Sequence, residues 1–285
     1  FGSSFAIANC LFGGVALHSD DLAAVFCKAV NDWVAEEWLD REPRLRASIL
    51  VPQQAPELAV AEIERRAGDK RFVQVSLLAM GTELLGRRGY WPIYEAAVRH
   101  GLPIGVHAGG LYHHPTLNGW GSFFLEDYVA NAFAFENQVV SLVSEGAFAK
   151  FPELKVVLIE SGVTWMPAAL WRFNKTWRGV RSEVPWVKRP PIELVRQHIR
   201  LTTQPFDEPD GVPRLERFVE QMGSDQMLLF STDFPHWHFD GNDALPLSPS
   251  SPLAPKVLFE NALATYPRLA ESVPQKELAS KELSP

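Results

Sequence analysis

The chain has 285 residues, 46% hydrophobic and 21% charged, a composition that supports one large buried core and excludes fibrous, disordered or disulfide-scaffolded classes. The balance of 27 basic against 34 acidic side chains gives −7, which argues against nucleic acid or an anionic membrane as partner. Two cysteines without C-x-x-C spacing suit a reducing compartment, and no apolar run approaches the roughly 18 residues that span a bilayer, so a cytoplasmic protein is expected.

Ser19, Asp20 and Asp21 start the first helix: the hydroxyl caps free N–H groups and the carboxylates face the positive end of the dipole. An apolar stripe from Leu22 to Leu39 continues it. RASILVP follows as a strand stopped by Pro52, then PELAVAEIERRAGD as a helix with Pro56 in its first turn. RFVQVSLLAM, LPIGVHAGG, LKVVLIESG, IRLTTQP and QMLLFSTD are further strands. They alternate with helices in YWPIYEAAVRHG, DYVANAFAFENQVVSLVSEGAFAKF, TWMPAALWRFNKTWRG, PRLERFVEQMG and PKVLFENALATYPRL. Trp165, Trp171 and Trp177 are read as part of a packing face.

Strand–helix alternation predicts a parallel sheet. With no G-x-G-x-x-G or G-x-x-x-x-G-K-[ST] after any strand, an α/β TIM barrel is favoured over a nucleotide-binding open sheet. The predicted domain covers residues 1–270, and 271–285 form a polar tail.

In a parallel barrel, functional groups collect where strands end. Those positions hold Gln53 and Gln54, His107, Glu160, Thr203 with Gln204, and Asp233. His107, followed by glycines, is a candidate metal ligand. Asp233 closes an apolar run, where an ionised carboxylate needs a partner; it is a candidate for catalysis and for metal binding. Glu160 is a candidate acid, ligand or substrate clamp, or else the ion-pair partner of Arg172. His236 is read as bracing a loop or touching substrate, His238 as structural, and His113 and His114 as loop residues that can reach substrate.

With these residues placed, the chain resembles the metal-dependent amidohydrolase superfamily, in the amidohydrolase-2 branch that includes aminocarboxymuconate-semialdehyde decarboxylase. The resemblance is carried by YWPIYEAAVRHGLPIGVHAG, FPELKVVLIESG and LLFSTDFPHW, and runs from FAIANCLFG to NALATYPRL. It implies a (β/α)8 barrel holding a divalent metal, zinc in most members, with His107 as the fifth-strand histidine ligand and Asp233 as the eighth-strand aspartate. It also implies a small-molecule substrate and a homodimer. Where many members end the sixth strand with histidine, this chain has Glu160. The family's first-strand H-x-H is absent upstream of His107, where His18 stands alone; FAIANC then reads as the end of the second strand, and the first would precede Phe1.

The leading expectation is a metal-dependent hydrolase in which activated water attacks a small carbonyl, amide or ester substrate, with Asp233 taking the water's proton and Glu160 protonating the leaving group. One alternative is a metal-dependent decarboxylase of a small unsaturated or aromatic carboxylic acid, which needs the same Lewis acid and one proton donor. Two others are a barrel without metal or catalysis, and a metal-free glycosidase using Glu160 and Asp233 as paired carboxylates.

Overall fold

A computed structural model describes residues 3–10, 14, 17–110, 121–207, 215–237, 239, 241–244, 247–248 and 250–272. Every apolar run named above becomes a strand: β1 (Ala6–Ala8), β2 (Leu45–Leu50), β3 (Phe72–Met80), β4 (Ile104–Gly110), β5 (Val156–Ile159), β6 (Ile199–Thr202) and β7 (Leu228–Leu229). Each pairs in parallel with its sequence neighbour, giving one seven-stranded sheet in the order β1 to β7 with β1 and β7 at its edges.

Among the described residues ten α-helices fill the connections and follow the last strand: α1 (Asp20–Val34), α2 (Pro56–Arg66), α3 (Trp91–Arg99), α4 (Phe124–Ser144), α5 (Ala147–Lys150), α6 (Met166–Val180), α7 (Pro191–His198), α8 (Leu215–Met222), α9 (Asn261–Thr265) and α10 (Pro267–Ala270). Their boundaries have local causes. Ser19 caps α1, its Oγ accepting from the Leu22 N–H at 3.3 Å, and prolines occupy the first turns of α2 and α3. Gly101, in the left-handed region at φ +63°, follows α3.

The strands are continuous apolar runs because both faces of the sheet are covered. On the outer face Ile49, Val75, Leu77, Ile104, Val106, Leu158 and Leu201 pack against helix residues such as Ile63, Ile93, Leu142 and Leu170. On the inner face Ile7 of β1, Val73 of β3, Val157 and Ile159 of β5 and Leu229 of β7 form one separate cluster with Phe5, Tyr266 and Leu269. Residues from alternate strands, including both edges, can share one cluster only if the sheet curls around it. The interior also carries a polar layer. Gln74 Nε2 donates to Ser48 Oγ at 2.8 Å and to Asn9 Oδ1 at 3.0 Å, Ser48 Oγ donates to the same Asn9 oxygen at 2.6 Å, and Tyr266 Oη donates to Gln74 Oε1 at 3.1 Å. Gly105 makes room for it, since a Cβ there would stand 2.8 Å from the Gln74 side chain.

The structure departs from the sequence reading in several places. The helical run predicted through residue 151 is broken at Gly146, φ +84°, into α4 and α5. The closing helix is a π-helical turn (Lys256–Glu260) followed by α9 and α10, separated at Tyr266–Pro267 where proline cannot continue the ladder. Helix α7, short and led by Pro191, is an element the sequence reading does not contain. Trp177 is buried and Trp165 packs on the core, but Trp171 is 52% exposed: two steps of six residues rotate the side chain through 240° each, which no single face accommodates. Gln53 and Gln54, read as strand-end candidates, bond to backbone: Gln53 exchanges two hydrogen bonds with Leu78, and Gln54 donates to the Gly14 and Leu17 carbonyls. Cys10 and Cys27 form no disulfide, and no helix among the described residues is long and apolar enough to cross a membrane. The tail from residue 273 lies outside the described residues.

His198, at the end of α7, is buried and stacked on Phe148 at 4.4 Å, with Nδ1 2.8 Å from the Leu154 carbonyl. Burial lowers its pKa from 6.5 to about 4. The unfolded chain therefore binds the proton more readily, and the stability contribution is complete above pH 6.5 and lost as pH falls toward 4. Urea titrations at pH 7 and pH 4.5 should show wild type losing about 2 kcal/mol more than His198→Gln, the shift being discounted for solvent screening; equal losses would clear His198 of this role.

Candidate active site

Because all strands run in parallel, the residues at their carboxyl ends share one rim. His107 lies near the end of β4, Glu160 is the first residue after β5, and Asp233 follows β7 by four positions. The curl of the sheet brings these three together. His107 is 2% exposed; its Nδ1 lies 2.8 Å from the Ala108 carbonyl, which leaves Nε2 facing Glu160 Oε1 at 2.9 Å. The Glu160 carboxyl is in turn within hydrogen-bonding reach of the Asp233 carboxyl, and Asp233 Oδ2 stands 3.3 Å from His236 Nδ1. Asp233 also accepts from the His236 N–H through its backbone carbonyl at 2.7 Å, so the turn after β7 folds His236 back onto the carboxylate.

The electrostatics of the pair follow from burial and proximity. Burial alone would lower the His107 pKa; the hydrogen bond and charge of Glu160, the Ala108 carbonyl and the charge of Asp233 together raise it above its ordinary value. For Glu160, burial favours the neutral acid, and the hydrogen bond and charge of His107, with contributions from Asp233 and His236, carry the pKa below the usual carboxylate range. Arg172 makes no ion pair with Glu160; that sequence-level alternative gives way to His107.

Backbone conformation singles out the same residues. Among the described residues, Glu160 (φ +60°) and Asp233 (φ +57°) are the only non-glycine positions in the left-handed region. That conformation costs about 1–2 kcal/mol for an L-residue and tends to persist where surrounding contacts over-determine it. At Glu160 the neighbouring strand supplies such a contact: its N–H donates to Thr202 Oγ1 at 3.1 Å, at the end of β6. Thr203 and Gln204, the strand-end candidates beside it, hold the β7 exit instead. Thr203 Oγ1 accepts from the Ser231 N–H at 3.1 Å, and the Gln204 N–H donates to Ser231 Oγ at 2.9 Å.

Two contributors escaped the sequence reading. Thr202 carries no motif, and its hydroxyl matters only because β6 lies beside Glu160. Tyr128, on the second turn of α4, sits far from any strand end in sequence, yet its ring stacks on His236 (centroids 6.5 Å, 14° between planes) and lies 6.0 Å from Trp237. Burial and the charges of Glu160 and Asp233 raise its phenol pKa, which puts it beside the cluster. His113, His114 and His238 lie outside the described residues, and His18 is exposed ahead of α1.

One imidazole nitrogen and two carboxylates form a donor set whose chemistry suits a divalent cation. Geometrically it is incomplete: among the described residues no group of three or more histidine, cysteine, aspartate or glutamate side chains is arranged to hold a metal, and His107 Nε2 is engaged by Glu160. The mutual closeness of Glu160 and Asp233 also removes the glycosidase alternative, whose two carboxyls need about 5 Å or more between them.

The sequence model of a family described as amidohydrolase matches residues 6–268. The chain belongs to the amidohydrolase family. Among curated relatives, this amidohydrolase is 26% identical over 235 residues to a gamma-resorcylate decarboxylase of Polaromonas sp. strain JS666, covering 75% of this chain and 67% of the relative. Among solved structures it is similar to the dihydroxybenzoic acid decarboxylase of Polaromonas sp. JS666 with bound manganese and the inhibitor 2-nitroresorcinol, with TM-score 0.71, 20% identity, and coverage of 91% of this chain and 81% of that one. It is likewise similar to 5-carboxyvanillate decarboxylase from Sphingomonas paucimobilis, with TM-score 0.74, 19% identity, and coverage of 93% and 79%. At these identities the structural likeness establishes the α/β fold of the amidohydrolase. Between the two leading readings of the sequence, the named relatives side with carbon–carbon lyase chemistry over hydrolysis.

Thr202→Val keeps the shape of the side chain and deletes the oxygen that receives the Glu160 N–H. Leaving that donor unsatisfied should lower the unfolding free energy in urea by about 1–2 kcal/mol. A Thr202→Val protein as stable as wild type would show that the Glu160 conformation is held by other contacts.

Proposed function

We propose that this amidohydrolase is a decarboxylase of small hydroxylated aromatic carboxylic acids. The observation that carries the reading is the buried His107–Glu160 pair abutting Asp233 at the strand-end rim, in a chain whose relatives are named decarboxylases. Loss of carbon dioxide from an aryl carboxylate breaks the ring–carboxyl bond and leaves its electron pair on the ring carbon, which must take up one proton. The chain therefore needs a proton held at the rim and a group to hold the substrate. The mobile proton of this reading sits on the Glu160 carboxyl beside Asp233, since His107 Nε2 leaves its contact with Glu160 when it serves as a ligand. Glu160, when it carries that proton, is the acid that delivers it, and Asp233 beside it is the carboxylate through which the proton is replaced. His236 keeps Asp233 in place and borders the substrate.

A divalent cation belongs to this reading, with His107 and Asp233 as the residues that would hold it; when bound it supplies Lewis-acid stabilisation of negative charge on the substrate's oxygens. Manganese, present in the Polaromonas structure, is favoured over the zinc expected from the sequence. We further propose a (β/α)8 barrel as the full architecture, the β1 and β7 edges flanking the place of an eighth strand, with residues 1–270 as a single domain. A homodimer in the cytoplasm remains part of the proposal.

The test is release of carbon dioxide from gamma-resorcylate and 5-carboxyvanillate by protein supplied with manganese or zinc, with bound metal measured by elemental analysis. Wild type should turn over at least one of the two acids. Glu160→Gln should lower kcat by about a hundredfold or more with metal content unchanged, and His107→Ala should lose most of the metal. Absence of carbon dioxide release with either metal would overturn the reading, and full activity in Glu160→Gln would remove Glu160 from the proton path.

A further inference from the structure

The N-terminal part of α4 is unusual for a helix lying against a sheet. Residues 121–127 are all exposed, including Phe123, Phe124 and Leu125 at 66–74%, and Tyr128 is the first side chain in the segment to turn inward. It turns toward other rings. Phe124 lies 5.4 Å from Tyr128, Tyr128 lies nearly parallel to His236, and Trp237 lies within 6.0 Å of Tyr128 and 5.7 Å of His236. These rings come from two elements remote in sequence, α4 and the turn after β7.

The cluster has two different sides. Through His236 it touches the polar centre, since His236 Nδ1 stands 3.3 Å from Asp233 Oδ2, and the charges of Glu160 and Asp233 reach the Tyr128 hydroxyl. Through Phe124 and Trp237, 66% and 68% exposed, it opens to solvent. Aromatic side chains left half-covered at the edge of a charged centre offer π faces to a planar ligand whose anionic group enters that centre.

We propose that Tyr128, with His236 and Trp237, forms an aromatic wall on which the substrate's ring stacks while its carboxylate faces the His107–Glu160–Asp233 cluster, making Tyr128 a substrate-positioning residue. The identity of the ring rests on the decarboxylase reading; the wall itself rests on the ring geometry. Positioning by stacking acts on ring binding, so it appears in KM and in the affinity of unreactive analogues more than in kcat. The phenol hydroxyl is secondary to the π face, so phenylalanine substitutes for tyrosine where leucine does not.

The experiment compares wild type, Tyr128→Phe and Tyr128→Leu in two assays: calorimetric binding of 2-nitroresorcinol, a planar ring without a carboxylate to lose, and KM and kcat on whichever aromatic acid wild type decarboxylates. The half-buried helical site and circular dichroism of each variant guard against misfolding as a cause. Tyr128→Leu should weaken 2-nitroresorcinol and raise KM by about tenfold with kcat changed less, and Tyr128→Phe should restore most of the loss. Equal affinity in Tyr128→Leu and wild type overturns the wall, as does a Tyr128→Phe variant as impaired as Tyr128→Leu, which would assign the effect to the hydroxyl. If wild type releases no carbon dioxide but binds 2-nitroresorcinol with the expected dependence on residue 128, the decarboxylase reading fails and the wall stands. If wild type neither reacts nor binds, both fall.

Discussion

Parallel strands impose the constraint from which the site follows. Each strand enters the sheet from the same side and leaves on the same side, so the seven carboxyl ends form one rim, and the curl shown by the shared inner cluster of Ile7, Val73, Val157 and Leu229 draws that rim into a ring. His107, Glu160 and Asp233 are separated by 53 and 73 residues in the sequence. They meet because each lies at or just beyond the carboxyl-terminal half of its strand, on the shared rim. The interior below them is packed with apolar side chains and the Asn9–Ser48–Gln74–Tyr266 layer, so the functional groups stand on a filled core.

Charge and conformation at the rim are mutually dependent. Two carboxylates held side by side repel, and His107 offsets part of that repulsion through the bond from Nε2 to Glu160. The left-handed backbone at Glu160 and Asp233 aims both side chains at that imidazole and its neighbourhood, and the contacts from Thr202 and His236 hold the turns. Glutamate at the end of β5 sets the charge of the site, since it places there an anion that needs a proton or a cation nearby, where a histidine would supply a neutral acceptor and donor.

How much of this was legible in the sequence depends on the range of the determining interaction. Strands β2 to β7 were readable because burial on both faces demands unbroken apolar runs, which composition records directly. His107, Glu160 and Asp233 were readable because a polar residue ending such a run is conspicuous. The His107–Glu160 pairing was not readable, since Glu160 had a nearer basic candidate in Arg172 and only the β4–β5 register decides between them. Thr202 and Tyr128 left no local signal: one acts through a hydroxyl across a strand pair, the other through a ring on a helix whose own sequence looks like ordinary apolar filling. Gln53 and Gln54 show the converse, because a polar residue at a strand end can equally serve to satisfy the backbone of an adjoining strand or loop.

The proposed reacting and recognising parts of the site stand on different supports. His107 and Glu160 are fixed by the ends of β4 and β5, where hydrogen-bonded strands lie on both sides, and Asp233 by the turn after the edge strand β7 that His236 closes. The rings of Tyr128 and Trp237 belong to a helix start and a turn with much exposed surface, where substitutions disturb few buried contacts. Changes in the second group can reshape which ring is accepted while the first group, and with it the proton inventory, stays intact. A fold of this kind can therefore change its substrate more readily than its chemistry, which is consistent with relatives named for different aromatic acids sharing one fold with this chain.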